Sequence, residues 1–331
     1  MNLHPLGSTN LLVSPIGLGL AALGRPGYIN LGHAEDLQSD YDVAAMQAHA
    51  HQVLDAAYES GVRYFDAARS YGRAEQFLGT WLEARQLSPA SVAIGSKWGY
   101  TYTAAWHVDA DVHEIKEHSM SVLQRQLFES RSNLGEYLDL YQVHSATLES
   151  GILENQEVHA ELTHLKEAGI LIGLSVSGPR QAEVLKHALD VDVSGVRLFD
   201  CVQATWNLLE RSAGPALTSA WQGGMGVIVK EALANGRLTE RNTESAFAGK
   251  LALLEREAQR LGTTVDGLAL AGVLAQPWVD VVLSGAARVD HLLSNLKALE
   301  VGWDDEAASH LRILVEPAGE YWTTRSDLEW N

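Results

Sequence analysis

Strand-like and helix-like segments alternate eight times along 331 residues, which predicts an α/β fold closed into a (β/α)8 barrel. Two further observations favour that closure. Polar residues collect at the C-terminal ends of the short apolar runs, where a barrel gathers its reactive groups. The first strand also lacks the glycine-rich turn into a helix that opens a doubly wound sheet. It is followed only by GLGLAALG, and the next helix begins about twenty residues later, which weakens that alternative.

Each unit has its own signal. The stretch 4–17, HPLGSTNLLVSPIG, reads as an N-terminal hairpin turning at LGSTN and able to plug the bottom of the barrel. PIGLGL (15–20) is the first barrel strand, VRYFDAA (62–68) the second and SVAIGSKWG (91–99) the third. Between the last two, 73–85 places Phe77, Leu78, Trp81 and Leu82 at helical spacing. A helix is expected over 115–130, a strand over 137–145, and a helix over 156–169 that ends at a glycine. Strands follow at 171–178, 196–206, 226–232 and 279–286. They are separated by helices at 180–189, 211–221 and 265–277, the last stopped by Pro277. A final helix covers 288–299, and LALLEREAQRL predicts an extra one near 251–261. No linker divides the chain, so one domain over 1–331 is expected.

Composition narrows the function classes. There are 24 basic and 42 acidic residues, a net charge of -18, with the basic residues scattered. Nucleic acid and anionic membrane surfaces are therefore poor partners. The single cysteine, Cys201, excludes an internal disulfide and a zinc site built on several thiolates. No apolar run is long enough for a membrane span and no secretory leader precedes the first strand, so a cytoplasmic protein is the expectation. No heptad run suggests a coiled coil, and a monomer or weak homo-oligomer is expected.

The strand ends carry the chemistry. Asp66 closes the second strand in YFDAARSYG, and Tyr71 follows in the next loop. Lys97 ends the third strand and His144 the fourth. Barrel closure brings neighbouring ends together. A lysine ammonium would then favour phenolate and lower a tyrosine pKa from its ordinary value of about 10. Asp66 would neutralise and orient Lys97, and His144 would polarise a carbonyl oxygen. That is a metal-free acid catalyst aimed at a carbonyl. HVDADVH (107–113) alternates His107, Asp109, Asp111 and His113 but reads as a solvated loop rather than a ligand strand. A metal-dependent hydrolase would need a second strand-end histidine.

The stretches VSPIGLGLAALG, RYFDAARSYGRAEQFLG, IGSKWG, LDLYQVH, GLSVSG, VQATWNLL and LSGAARVDHLLSNL together resemble the aldo-keto reductase family over nearly the whole chain. The resemblance implies a (β/α)8 TIM barrel and an NAD(P)H-dependent oxidoreductase. Asp66, Tyr71, Lys97 and His144 fall on that family's catalytic tetrad, with Tyr71 as general acid. The family positions for the cofactor correspond to Gly19, Asp66, Ser175, Ser177, Gln203, Trp206, Lys230, Ser284, Gly285, Arg288 and Asn295. Trp206 stands where tyrosine is usual, for stacking on the nicotinamide ring. Val176 stands where asparagine is usual, with Ser177 next to it as a substitute. Ser284 replaces a frequent proline and Ser294 a frequent acidic residue. Lys230 and Glu231 stand near a frequent serine-proline pair, and the lysine either meets the pyrophosphate or pairs with Glu231. Ala287 stands where relatives often carry a basic residue, leaving Arg288 either to clamp a 2′-phosphate or to point to solvent. NADP is thus expected, with NAD the alternative.

Two loops are expected to choose the substrate. GRPGYINLGH (24–33) offers Tyr28, and 98–114 offers Trp98, Tyr100 and Trp106. An aldehyde, a ketone or a sugar carbonyl all remain open, as does the oxidative direction of an aldose or alcohol dehydrogenase. The resemblance also admits a regulatory subunit that binds cofactor with little turnover.

Overall fold

The computed structural model describes residues 1–331. The chain begins with the expected hairpin, β1 (His4–Pro5) against β2 (Leu12–Val13). Then come β3 (Ile16–Gly19), a short α1 (His33–Asp36), α2 (Val43–Glu59), β4 (Tyr64–Asp66), α3 (Ala74–Ala84) and β5 (Ala93–Trp98). A small hairpin, β6 (Tyr100–Tyr102) and β7 (Glu114–Lys116), precedes α4 (Met120–Leu134) and β8 (Leu138–Ala146). The order continues with α5 (Gln156–Glu167), β9 (Leu171–Val176), α6 (Gln181–Leu189) and the hairpin β10 (Asp192–Val193), β11 (Val196–Arg197). Next are β12 (Cys201–Thr205), α7 (Gly214–Gln222), β13 (Gly226–Lys230), α8 (Ala248–Arg260), α9 (Val265–Leu274), β14 (Val281–Ser284) and α10 (Val289–Leu296). The chain ends with α11 (Asp305–His310) and α12 (Ala318–Ser326).

Eight strands close a parallel barrel in the order β3-β4-β5-β8-β9-β12-β13-β14. Local chemistry starts several helices. The Asp42 carboxylate accepts from the amides of Ala44 and Ala45 at the head of α2, and Ser119, Asn155 and Thr264 cap α4, α5 and α9 in the same way. The expected helix at 115–130 begins five residues later. Residues 114–116 pair instead as β7, because the third βα loop folds back as a ribbon over the barrel mouth. Likewise 196–206 divides: Val196 and Arg197 turn back on β10, and only Cys201–Thr205 enters the barrel. Helix α2, on 43–59, and the terminal helices α11 and α12 complete the molecule.

The apolar residues form three layers. The largest cluster lies between the strands and the surrounding helices. A second fills the barrel floor, where Leu6 and Val13 of the hairpin pack on Tyr64, Leu140, Ile228 and Val281. The hairpin does plug the bottom, as expected. Cys201 is buried in that floor, and burial pushes its thiol well above the usual range. The third cluster joins α8 and α9 to Tyr321 and Trp322 of α12. No helix is long and apolar enough to cross a membrane.

Candidate active site

The parallel register carries Asp66, Lys97 and His144 to one rim. Asp66 lies between Gly19 and Gly95, and Lys97 pairs with Gln142, two residues before His144. Alternation along β5 turns Lys97 into the barrel and Trp98 out against the helices. Gly95 has a specific reason to be glycine: a Cβ there would collide with the Tyr64 hydroxyl. That hydroxyl donates to Asp66 Oδ1 at 3.2 Å.

Asp66 is a hub. Its Oδ2 accepts from Lys97 Nζ, and its Oδ1 also accepts from Gln203 Nε2 at 2.9 Å and Gln142 Nε2 at 3.3 Å. Lys97 is fully buried and donates further to the Ala67 carbonyl at 2.9 Å. A charge pair this deep survives because each ion is paired and hydrogen-bonded.

Lys97 Nζ stands 4.8 Å from the centre of the Tyr71 ring, against its face. Burial and then the Asp66 carboxylate push the Tyr71 phenol well above its usual range, with Arg25 opposing them. This corrects the expectation of a lowered phenol pKa. The charge of Lys97 is spent on Asp66, so desolvation wins and Tyr71 keeps its proton. His144 packs edge-on against Tyr71, with ring centres 5.5 Å apart, and against Tyr100 at 5.0 Å. Burial, with Lys97, Lys230 and Arg25 adding to it, holds the imidazole well below its usual range and therefore neutral. Ser70 Oγ lies 3.5 Å from its Nδ1.

A cavity of about 450 Å³ opens above this group. Its wall includes Gly19, Asp66, Tyr71, His144, Ser177, Gln203, Lys230, Ser284, Gly285, Asn295 and Tyr28. Other expected site residues lie elsewhere. Ser175 Oγ sits behind the rim and accepts from the Ser145 amide at 2.8 Å. Trp206 packs edge-on against Trp278, 5.6 Å between ring centres, and does not line the cavity. Trp98 is fully buried against His118 in the helix layer. Trp106 packs on Phe77 and donates to the Tyr41 carbonyl at 2.7 Å. Tyr100 touches His144 without lining the cavity. Trp98 and Trp206 gain more from a dry packed layer than from an open mouth, while Trp106 and Tyr100 stay half-buried in the third loop. Arg288 turns to solvent and forks onto Asp290 at 2.9 Å. Gln203 gives its amide N–H to Asp66, and Asn295 gives its own to Ser284 Oγ at 2.9 Å.

The cavity also holds residues that the sequence alone does not single out. Arg25, Glu114, Arg325 and Trp330 line it near Tyr71, beside the Glu231 already noted next to Lys230, and Asp36, Arg241 and His291 line its far end. Arg25 was the most accessible to sequence reasoning, since it sits in the loop already assigned to the mouth through Tyr28. Nothing in the local sequence marks Arg325 or Trp330, which arrive from the end of the chain. Lys230 Nζ donates to Ser177 Oγ at 3.1 Å and Thr205 Oγ1 at 2.9 Å. Burial lowers its pKa to about 8, while Glu231, 3.9 Å away, partly restores it.

The far end fits a dinucleotide phosphate. The amides of Gly285, Ala287 and Arg288 meet no protein acceptor, and nothing lies within 4 Å of where a Gly285 Cβ would be. Free amides ahead of a helix form an anion site.

Comparison with known proteins agrees with this geometry. The profile of the "Aldo/keto reductase family" matches residues 15–316. The holo form of aldo-keto reductase AKR11C1 from Bacillus halodurans superposes with a TM-score of 0.75 at 24% identity, covering 96% of this chain and 97% of that one. An uncharacterized oxidoreductase, YqkF, of Bacillus subtilis is 24% identical over 90% of this chain and 91% of its own. The NADH-specific methylglyoxal reductase of Escherichia coli is 24% identical over 94% of this chain and 98% of its own. With the profile spanning both ends of the barrel, the chain belongs to the aldo/keto reductase family and is a nicotinamide-dependent oxidoreductase of carbonyl compounds.

Proposed function

We propose that this single barrel domain reduces a carbonyl with Tyr71 as the general acid, His144 as the donor that orients the carbonyl oxygen, and Lys97 and Asp66 holding them in place. One observation carries the reading. Tyr71 Oη and the outer nitrogen of His144 make no hydrogen bond to the protein, although both residues line the cavity. Two neutral donors left free on one cavity wall are what a carbonyl oxygen requires. Ser70 can donate to Nδ1, which leaves Nε2–H to donate outward. The bound dinucleotide supplies the hydride for the carbonyl carbon. Tyr71 delivers its proton to the oxygen, and its buried phenol stays protonated until then. In the reverse direction the same hydroxyl receives the proton.

Gly19, Ser284, Gly285 and Asn295 would flank the dinucleotide on this reading. Ser177, Gln203 and Lys230 would hold its nicotinamide half and pyrophosphate. Arg241, rather than Arg288, is the cation positioned for a 2′-phosphate, since it lines the far end and Arg288 does not. Asp36 competes for it, donor to acceptor, at 2.9 and 2.5 Å.

The test follows NADH and NADPH oxidation at a panel of aldehydes, ketones and aldoses, with Tyr71→Phe beside the wild type. Turnover is expected to fall by about a thousandfold or more in the variant, while cofactor binding measured by fluorescence stays within a few-fold. Full activity in Tyr71→Phe would overturn the assignment.

A further inference from the structure

The proposed reaction leaves one buried cation without a task. Arg25 is 3% exposed and forms part of the cavity wall. Its guanidinium carbon lies 5.3 Å from the ring centre of Tyr71, 5.3 Å from that of Tyr28 and 4.8 Å from that of Trp330. Only one of its nitrogens is used. Nη1 donates to the Ser70 carbonyl and to Glu114 Oε2, both at 3.0 Å. Nε is buried with no partner, and Nη2 makes no hydrogen bond to the protein. Nη2 is thus the nitrogen that stays reachable, and a guanidinium N–H there donates a charge-assisted hydrogen bond to a carboxylate. A guanidinium serving only to tie the loop to Glu114 would not need Nη2 left free in the cavity wall.

We propose that Arg25 recognises a carboxylate on the substrate, so that the site selects short oxo acids over neutral aldehydes and ketones. This rests on Tyr71 being the acid. Because Arg25 and Tyr71 are in contact, a carboxylate on one and a carbonyl oxygen on the other belong to one small molecule with only a few bonds between them. Tyr28 and Trp330 flank the same guanidinium and offer flat faces to the carbon chain. Electrostatics favour the arrangement. Arg25, Lys97 and Lys230 all bear on His144, so their field converges where a carboxylate and a developing alkoxide would lie. The carboxylates that face this group are already engaged: Asp66 by Lys97, Glu231 by Arg325, and Glu114 by the other nitrogen of Arg25. The oxo acid gains a hydride from NAD(P)H and a proton from Tyr71, leaving a hydroxy acid and the oxidised dinucleotide.

The experiment compares kcat/KM for pyruvate and 4-oxobutanoate with that for their methyl esters, using the full chain with cofactor. Wild type is expected to prefer at least one acid over its ester by about tenfold or more. Arg25→Met should reduce that preference about a hundredfold, and Arg25→Lys, which keeps charge but loses the planar guanidinium, about tenfold. Calorimetry of succinate against the enzyme–cofactor complex gives a readout without turnover: binding in wild type, and none in Arg25→Met. A structural role alone would lower acid and ester together and leave their ratio unmoved. Esters reduced as well as acids by wild type would overturn this inference alone. A protein that reduces no carbonyl would overturn the assignment of Tyr71 and this inference with it.

Discussion

Asp66 shows how much one side chain decides here. Four donors from four strands, Tyr64, Lys97, Gln142 and Gln203, converge on its two oxygens. Asp66→Asn keeps the shape and removes the charge, leaving the Lys97 ammonium buried without a counterion. The expected loss of stability is about 3–5 kcal/mol, measured by urea unfolding at neutral pH. An unchanged midpoint would mean that Lys97 is not charged there. Asp66, Tyr71, Lys97 and His144 were legible in the sequence because a polar residue at the end of a buried run must have a partner to offset its desolvation. Trp98, Trp106 and Trp206 were not, since an aromatic ring carries no mark of the side on which it is buried. Strand alternation separates Lys97 from Trp98, but only when the register is known.

At the level of elements, the loops after the strands depart most from a plain alternation. The segment carrying α1 crosses the mouth and meets the loop after β13. Arg241 forks onto Asp36, and His291 of α10 approaches the same carboxylate at 3.7 Å. If Arg241 serves a 2′-phosphate, Asp36→Asn should release it. The ratio of NADPH to NADH affinity is then expected to rise about tenfold, and Arg241→Met to lower it by a similar factor. Dissociation constants from protein fluorescence decide this without turnover, and equal ratios in all three proteins would dismiss the role. The sequence pointed to Arg288 because it is adjacent to the glycine loop. Adjacency also placed Asp290 within its reach, and the fork closed locally. Arg241 is distant in sequence and became available only through loop packing.

For the whole molecule, the end of the chain returns to the barrel mouth. Arg325 of α12 meets Glu231 at 2.7 Å, and Trp330 stacks on His113 with ring centres 3.8 Å apart. Burial alone would raise the Glu231 pKa, but Arg325 and then Lys230 hold it at about 2. Between the ordinary carboxylate range and that value the unfolded chain binds the proton and the folded one does not. Glu231 therefore contributes stability at neutral pH that disappears as pH falls from about 4.5 to 2, of order 3 kcal/mol. Glu231→Gln should unfold more easily than wild type at pH 7, with the difference closing toward pH 2. A gap independent of pH, in urea titrations of both proteins, would show that the charge of Glu231 is not its source.

By itself the sequence determined the barrel, its floor plug, an extra helix expected near 251–261 and found at 248–260, and the rim placement of Asp66, Lys97 and His144 with Tyr71 in the loop beside them. Periodicity and strand-end polarity are local properties, and a closed parallel barrel turns them into one site with no further information. Tertiary structure alone decided the residues around that site. The free Nη2 of Arg25, the capture of Arg241 by Asp36 and the return of Arg325 and Trp330 join positions up to some three hundred apart in the chain. Their partners are set by which loops fold across the mouth, and a burial cost or a charge pair exists only after those loops have met.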